Sequence, residues 1–361
     1  MAQRPDTMRG VVLTGHGGLD RLEVRDNLPV PTPWQGEVLI AVGASAVNNT
    51  DINTRIGWYS KTVRGDTASG ATSGFQEETD GDGSWSGAAL SFPRIQGADC
   101  CGRIVAVGEG VSPGRVGQRA LVRAIQSPST SDTDLPTATL GSECDGAFAE
   151  FMVAAAGDAV AVQSHYSDVQ LASFPCAFST AEGMIQRCGL GAERVVIAGA
   201  SGGVGSGAIQ LAKRRGAHVT AISSPSKWEE LRALGADLVL PRDAELPQRE
   251  YDVALDVVGG PLWGALLDSL RVGGRYVTAG AIAGPIVELD LRTLYLRDLS
   301  CFGCTHQPTN VFTDLVSYIE AEEIRPVVAD TYPLHELRIA QEAFLSKSHV
   351  GKIGILVSTD G

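Results

Sequence analysis

One stretch, RVVIAGASGGVGSGAIQLAKRRGAHVTAI at residues 194–222, restricts what this chain can fold into more than any other. It supplies a strand, a glycine turn, a helix and a second strand in about the length of one βαβ unit. Gly199, Gly202 and Gly205 are spaced GxxGxxG. A side chain at these positions would keep backbone amides away from a pyrophosphate and hold the helix off the strand. The start of such a helix presents unpaired N–H groups and the positive end of its dipole to an anion. Val204, Ala208, Leu211 and Ala212 fall on one helical face, and Gly216 predicts the stop. In this context a dinucleotide site is favoured over a glycine-tolerant turn of some other α/β fold.

The end of the second strand selects between the nicotinamide cofactors. Chains that bind NAD place a carboxylate there to accept the ribose 2′-hydroxyl. Here Ser223, Ser224, Pro225, Ser226 and Lys227 follow, and Arg242 lies just past the next strand, LVL. Hydroxyls and cations suit a 2′-phosphate, whereas a carboxylate would repel it. The missing acid is the stronger argument, since either base alone could be merely solvated. The pattern predicts NADP(H).

A chain of 361 residues exceeds what one hydrophobic core usually organises, so two domains are expected. The front reads as short β segments, GVVLTGHG, LEVRDNLPVP, EVLIAVGASAV, RIVAVGEGV and RALVRA, as in a barrel-like module. From about Ala177 strands and helices alternate, as in a doubly wound parallel sheet. We place the β-rich domain at residues 1–170 and the dinucleotide domain at 171–319. The tail, with a helix over HELRIAQEAFLSK (Leu337, Ala340 and Ala343 on one side) and the strand KIGILV, fits either domain by composition alone. Residues 65–93, which lack Lys and Arg, read as a surface loop or as a lid carrying Phe75 or Trp85 over a cleft. Residues 125–146 are similarly polar.

The formal charge of −13 argues against nucleic acid and anionic membrane surfaces as partners. No apolar run reaches transmembrane length, and the start MAQRPDTMRG lacks a secretory apolar stretch. Seven scattered cysteines suit a reducing compartment, so a cytoplasmic enzyme with a small-molecule substrate is expected.

From about Met8 to Val357, through the β-rich front, the glycine turn and the tail HVGKIGILV, the chain resembles the medium-chain dehydrogenase/reductase superfamily. The resemblance implies a GroES-like catalytic domain, completed by residues 320–361, a Rossmann domain, and an active site between them. It adds Thr180, Ser201, Gly203, Val204, Val258, Gly280 and Lys352 to the cofactor-binding residues. It also implies a homodimer, joined through the SCFGCT strand at 300–305. Zinc-dependent members carry a cysteine, a histidine followed by glutamate, and a second cysteine. The matching positions are Asn48, Ala98 with Asp99, and Cys176 in PCAFSTAEG. One ligand of three remains, too few for catalytic zinc. The structural zinc of the family needs four cysteines, and the corresponding segment offers only Cys144.

The segment AVNNTDINTRIGWYSK is instead similar to the zinc-free quinone oxidoreductases and 2-enoyl thioester reductases, in which asparagine replaces the first zinc ligand. Asp51 matches the acid that follows, and Tyr59 falls where the enoyl thioester reductases keep a tyrosine. Asn53 stands where many quinone reductases have tyrosine. Without a metal, hydride transfer is easiest to a conjugated acceptor: an enone, enal, enoyl thioester or quinone. Tyr59 and Asn48 are the expected donors to the developing oxyanion, Tyr59 with a proton to deliver or only a substrate to position. Alternatively, its ring simply packs under the acidic loop. Asp51, the third candidate, suits a capping role in a first helical turn, with Arg55 four residues on as an ion-pair partner. Cys301 and Cys304 spell CxxC but sit in a predicted strand, which favours buried packing over redox chemistry. No two of the six histidines show metal-ligand spacing. Two other readings remain: a zinc alcohol dehydrogenase with substituted ligands (Cys176 with Asp99 or Cys100), and a noncatalytic NADPH-binding protein.

Overall fold

The computed structural model describes residues 5–75, 81–126 and 138–358. Parts of the two polar insertions, residues 76–80 and 127–137, lie outside the described residues, and with them part of the expected loop or lid and of the segment matching the structural-zinc lobe.

The front of the chain forms β1 (Thr7–Leu13), β2 (Leu22–Pro29), β3 (Glu37–Val47), β4 (Arg94–Ile95), β5 (Cys100–Val107), β6 (Arg119–Val122), β7 (Ile125–Gln126), β8 (Ala138–Thr139), β9 (Phe151–Ala155) and β10 (Ala159–Ala161). Next come β11 (Arg194–Ala198), β12 (His218–Ile222), β13 (Leu238–Leu240), β14 (Tyr251–Asp256), β15 (Leu270–Thr278) and β16 (Ser300–Gly303). Finally, β17 (Val328–Pro333) and β18 (Lys352–Leu356) close the chain. In the front sheet β3 is the hub, pairing antiparallel with β5, β9 and β18.

The tail, which composition left unassigned, returns to this front sheet. Ile353 pairs with Val47 and Ile355 with Ser45. Ile353 and Ile355 share a buried cluster with Val47, Ile52, Leu337, Ala340 and Phe344. The tail helix Leu337–Leu345 is therefore fastened by its apolar face, on which Ala343 is only half-buried.

The six-stranded sheet runs in the order β13-β12-β11-β14-β15-β16, with every neighbouring pair parallel. Residues 195–198 of β11 and all of β14 are buried, as expected where helices cover both faces of a parallel sheet. The strand order reverses between β11 and β14, and in open α/β sheets a crevice forms beyond the carboxyl ends of the strands at such a point. The glycine turn follows β11 directly. Gly199 has φ +74°, a left-handed conformation that favours glycine. The helix Gly203–Arg214 then crosses close to the turn: a Cβ on Gly205 would lie 2.3 Å from the Gly199 carbonyl oxygen and 2.5 Å from Ala200 Cα. Both obstacles are backbone. Gly205→Ala is therefore expected to destabilise the fold by about 1–3 kcal/mol, read as a lowered Tm.

The CxxC pair departs from expectation. β16 is the sheet edge, and Cys301 is exposed there while Cys304 is half-buried, so the packing predicted for both holds only in part for Cys304.

Candidate active site

A cleft of about 880 Å³ opens beside the glycine turn, within the range of ligand-binding pockets. It runs between the helix Asn49–Ile56 and its following turn, the start of the helix Gly203–Arg214, the ends of β14 and β15, and the tail. Gly199, Ser201, Gly202, Gly203, Val204 and Gly205 line one end, with Val258 and Gly280 opposite. In a chain of charge −13, the lining among the described residues includes Lys227, Arg242, Lys347 and Lys352 but only one acid, Asp66.

The cofactor end fits a phosphorylated dinucleotide on three observations. The helix start is free of side chains at Gly202 and Gly203. Ser223 is buried, its backbone carbonyl accepts the Trp228 indole N–H at 3.0 Å, and its Oγ has no partner among the described residues. A buried hydroxyl left unsatisfied is costly, and a phosphate oxygen would satisfy it. Lys227, also buried, donates to the Lys347 carbonyl at 2.6 Å and to Ser201 Oγ at 3.3 Å; burial and then Arg242 lower its pKa. No carboxylate ends β12. Ser224, expected beside these residues, does not line the cleft: it stands just ahead of the short 3₁₀ turn Pro225–Lys227, which carries Lys227 inward instead.

Two further groups escaped sequence reasoning. Lys347 donates to Asn49 Oδ1 at 3.0 Å and lies 3.8 Å from the Phe344 ring centre. Burial, then Lys227 and Lys352, push its pKa down to about 7. His349 is lowered to about 4 by burial and then by Lys347, Lys227 and Lys352, and its Nδ1 is buried without a partner among the described residues. Both reach the cleft because Gly351 N–H donates to the Ser201 carbonyl at 2.9 Å, tying the tail to the glycine turn. No local pattern announces that bond.

Gly202 separates binding from folding. A Cβ there would meet only the Gly199 oxygen, at 3.6 Å, on backbone of φ −76° that alanine adopts. Gly202→Ala should leave Tm within about 1 °C of the parent and weaken cofactor binding about tenfold or more by crowding the pyrophosphate position, measured by fluorescence titration.

At the inner end, Tyr59 lines the cleft, and its hydroxyl donates to Thr50 Oγ1 at 3.2 Å. Burial raises its pKa. Its ring stands edge-on to Trp58 (5.7 Å, 77°) and stacks on Trp85 (5.5 Å, 29°). The ring packing expected beneath the acidic segment is present, and Tyr59 also lines the cleft. Of the two candidate lid residues, Trp85 reaches the cleft, while Phe75 packs against the β-domain core. Thr180 also lines the cleft, its hydroxyl held by the Cys176 carbonyl at 2.7 Å. Thr50 was not foreseen.

Two expected roles are corrected, those of Asn48 and Lys352, and the capping role expected of Asp51 is present. Asn48 cannot serve as an oxyanion donor, because its amide N–H groups are spent on Asp99 Oδ2 (2.7 Å) and the Ala46 carbonyl (3.2 Å), and its oxygen accepts from Lys352. Lys352 does not present its ammonium to a cofactor: it is buried on Asp99 Oδ2 (2.8 Å), the Val47 carbonyl (2.9 Å) and Asn48 Oδ1, and only its stem lies along Gly203. Asp51 is a capping residue away from the cleft lining, accepting the Asn48 and Gly97 amides at 2.8 and 3.2 Å. Burial raises its pKa to about 7. Arg55 makes no pair with it and bonds instead to Gln341 and the carbonyls of Gly17 and Ala71.

These features, a parallel nucleotide-binding sheet facing a β-rich catalytic module across a basic cleft, define a two-domain dehydrogenase or reductase. Residues 34–164 match the alcohol dehydrogenase GroES-like domain and residues 203–321 the zinc-binding dehydrogenase domain. A crystal structure of a candidate alcohol dehydrogenase from Sinorhizobium meliloti 1021 is 42% identical, with 99% of this chain and 98% of that one covered and a TM-score of 0.87. The chain belongs to the medium-chain dehydrogenase/reductase superfamily and is an oxidoreductase. It is 28% identical to the acryloyl-coenzyme A reductase of Metallosphaera sedula (96% of this chain, 99% of that protein). It is 26% identical to the chloroplastic NADPH-dependent alkenal/one oxidoreductase of Arabidopsis thaliana (98% and 80%).

Zinc, implied by one of these family descriptions, does not fit the donors present. Ala98 offers none, the Asn48 oxygen faces an ammonium, and burial raises the Cys176 thiol pKa. Both Asp99 oxygens are engaged, one by the Cys176 amide at 2.7 Å. Cys100 is buried in the β-domain core. Among the described residues no three His, Cys, Asp or Glu side chains converge as a metal site.

Proposed function

We propose that the chain is a zinc-independent, NADPH-dependent reductase of conjugated carbonyl compounds, its cleft divided between a catalytic domain of residues 1–170 plus 320–361 and a cofactor domain of residues 171–319. The observation that carries this reading is the Tyr59–Thr50 hydroxyl pair facing a cleft whose far end holds the glycine turn, Ser223 and Lys227. The relatives named for acryloyl-coenzyme A and for alkenals support the acceptor class.

A bound reduced nicotinamide would supply a hydride for the β-carbon of the acceptor. Charge then develops on the carbonyl oxygen. Tyr59 holds its proton, because burial raises its pKa, and donates it to that oxygen in place of the weak 3.2 Å bond to Thr50. The resulting enol tautomerises to the saturated carbonyl in solvent, its O–H proton leaving as the α-carbon takes one, and the Tyr59 phenolate regains a proton from solvent, so the net change is one hydride and one proton. Trp58 and Trp85 fix the phenol and keep water from the acceptor. In the cofactor half Ser223, Lys227 and Arg242 hold the 2′-phosphate, and Lys347 faces the pyrophosphate.

The test is NADPH oxidation against enones, enals, enoyl thioesters and quinones, with zinc measured on the same sample. Turnover by metal-free protein is expected; stoichiometric zinc required for activity would refute the reading. A second measurement follows from Lys347. Its pKa of about 7 rises when phosphate binds, so binding takes up a proton. NADPH affinity should be flat below pH 7 and fall above it, up to about tenfold per unit, and Lys347→Met should flatten that profile.

We also propose a homodimer. β16 leaves an open sheet edge, and Leu291, Tyr295 and Leu296 are exposed in the segment leading to it. Light scattering at micromolar protein should give twice the chain mass.

A further inference from the structure

Resting on that reductase reading, one residue of the polar insertion sets which acceptors fit. The insertion is anchored to the β-domain core by Phe75, Leu90 and Phe92, and its Trp85 turn is held by the turn at residues 139–144, through Ser142 and Glu143. Trp85 N–H donates to Ser142 Oγ at 3.1 Å and Ser86 N–H to Glu143 Oε1 at 2.8 Å, while Glu143 Oε2 accepts the Thr139 amide at 3.0 Å. The indole is thereby fixed on Tyr59.

Trp85 also divides space. Behind it lies a cavity of about 20 Å³ that shares Trp85, Cys176, Thr180, Ala279 and Thr305 with the main cleft. Its remaining wall includes Ala98, Ala124 and Ile125. A cavity of that size holds at most about one water and no alkyl chain. The indole is the largest side chain on the shared wall, and the groups behind it are mainly small and apolar.

We propose that Trp85 is a specificity-determining residue: stacked on Tyr59, it closes the inner end of the cleft so that flat conjugated acceptors with a short chain beyond the β-carbon are preferred, and its removal turns the cavity behind into space for a longer chain. Face-to-face aromatic packing also suits a planar conjugated acceptor better than a tetrahedral alcohol.

The test uses the full chain and two readouts. In the first, kcat/KM is measured with NADPH for but-2-enal, hex-2-enal and oct-2-enal. In the second, the Kd of butanamide, hexanamide and octanamide, which accept no hydride, is measured on the NADP⁺-loaded protein. The parent should favour the short member of each series. Trp85→Ala should shift the long-to-short ratio by about tenfold or more in both, since each methylene newly buried is worth about fourfold. Trp85→Phe, which keeps an aromatic ring on Tyr59, should shift it less and guards against a misfolded alanine variant. A parent that favours the octyl compounds, or ratios unchanged in both variants, would overturn the proposal. Absence of turnover with every enal, together with the amide shift, would refute the reductase reading and leave Trp85 as the determinant of what the cleft binds.

Discussion

Ser223→Asp is expected to reverse cofactor preference, lowering kcat/KM for NADPH by about 10²–10³-fold while leaving NADH usable or improved. Ser223 is buried at the end of β12, and its hydroxyl lacks a partner among the described residues. A carboxylate there would face the 2′-phosphate across the same short gap, and like charges brought together in a buried site cost several kcal/mol. With an unphosphorylated ribose the same carboxylate gains a hydroxyl to accept from. The fold should tolerate it, because Lys227 and Arg242 stand nearby and repel each other. Measured with both cofactors at matched salt, equal losses for NADPH and NADH would mean that the 2′-phosphate lies elsewhere. Lys227→Met should act in the same direction but less, since Lys227 is only one of the cations lining the cleft.

Why could this corner be read from sequence when the catalytic corner could not? The glycine turn, its helix and the residues ending β12 are contiguous, and their chemistry is local: each glycine answers to backbone within a few residues, as Gly205 does to Gly199 and Ala200. The parallel sheet follows from β-branched runs buried on both faces. The Asn48–Asp99–Lys352 network instead joins residues about 300 positions apart in sequence, brought together by the antiparallel pairing of β18 with β3. From sequence Asn48 carried free donors and Lys352 a free cation; once paired, each exhausts the other. Lys347 and His349 were missed for the same reason, since contacts between distant segments, the Gly351–Ser201 hydrogen bond, the Gly202–Gly351 bridge and the Lys227 bond to the Lys347 carbonyl, place the tail beside the turn. Ser224 shows the opposite limit: adjacency to Ser223 suggested a shared role, and the chain turning into the 3₁₀ segment takes Ser224 out of the cleft lining.

Tyr59→Phe is expected to lower kcat by about 10²-fold, with NADPH affinity unchanged and KM for the acceptor changed by less than about threefold. The split follows from how the residue is held. Phenylalanine keeps the stack on Trp85 and the edge contact with Trp58, so the wall of the cleft survives. What disappears is one hydroxyl whose contribution appears only when charge builds on the carbonyl oxygen, and an interaction made in the transition state alone is lost from kcat rather than from KM. Thr50→Val sharpens the assignment. If the Thr50 hydroxyl only parks the phenol, its loss frees Tyr59 and kcat falls by less than about tenfold; if Thr50 is itself the donor, the two variants exchange their effects. Unchanged kinetics in Tyr59→Phe would remove the phenol from the chemistry and leave the other hydroxyls lining that end of the cleft, Thr50 and Thr180 among them, as the candidate donors.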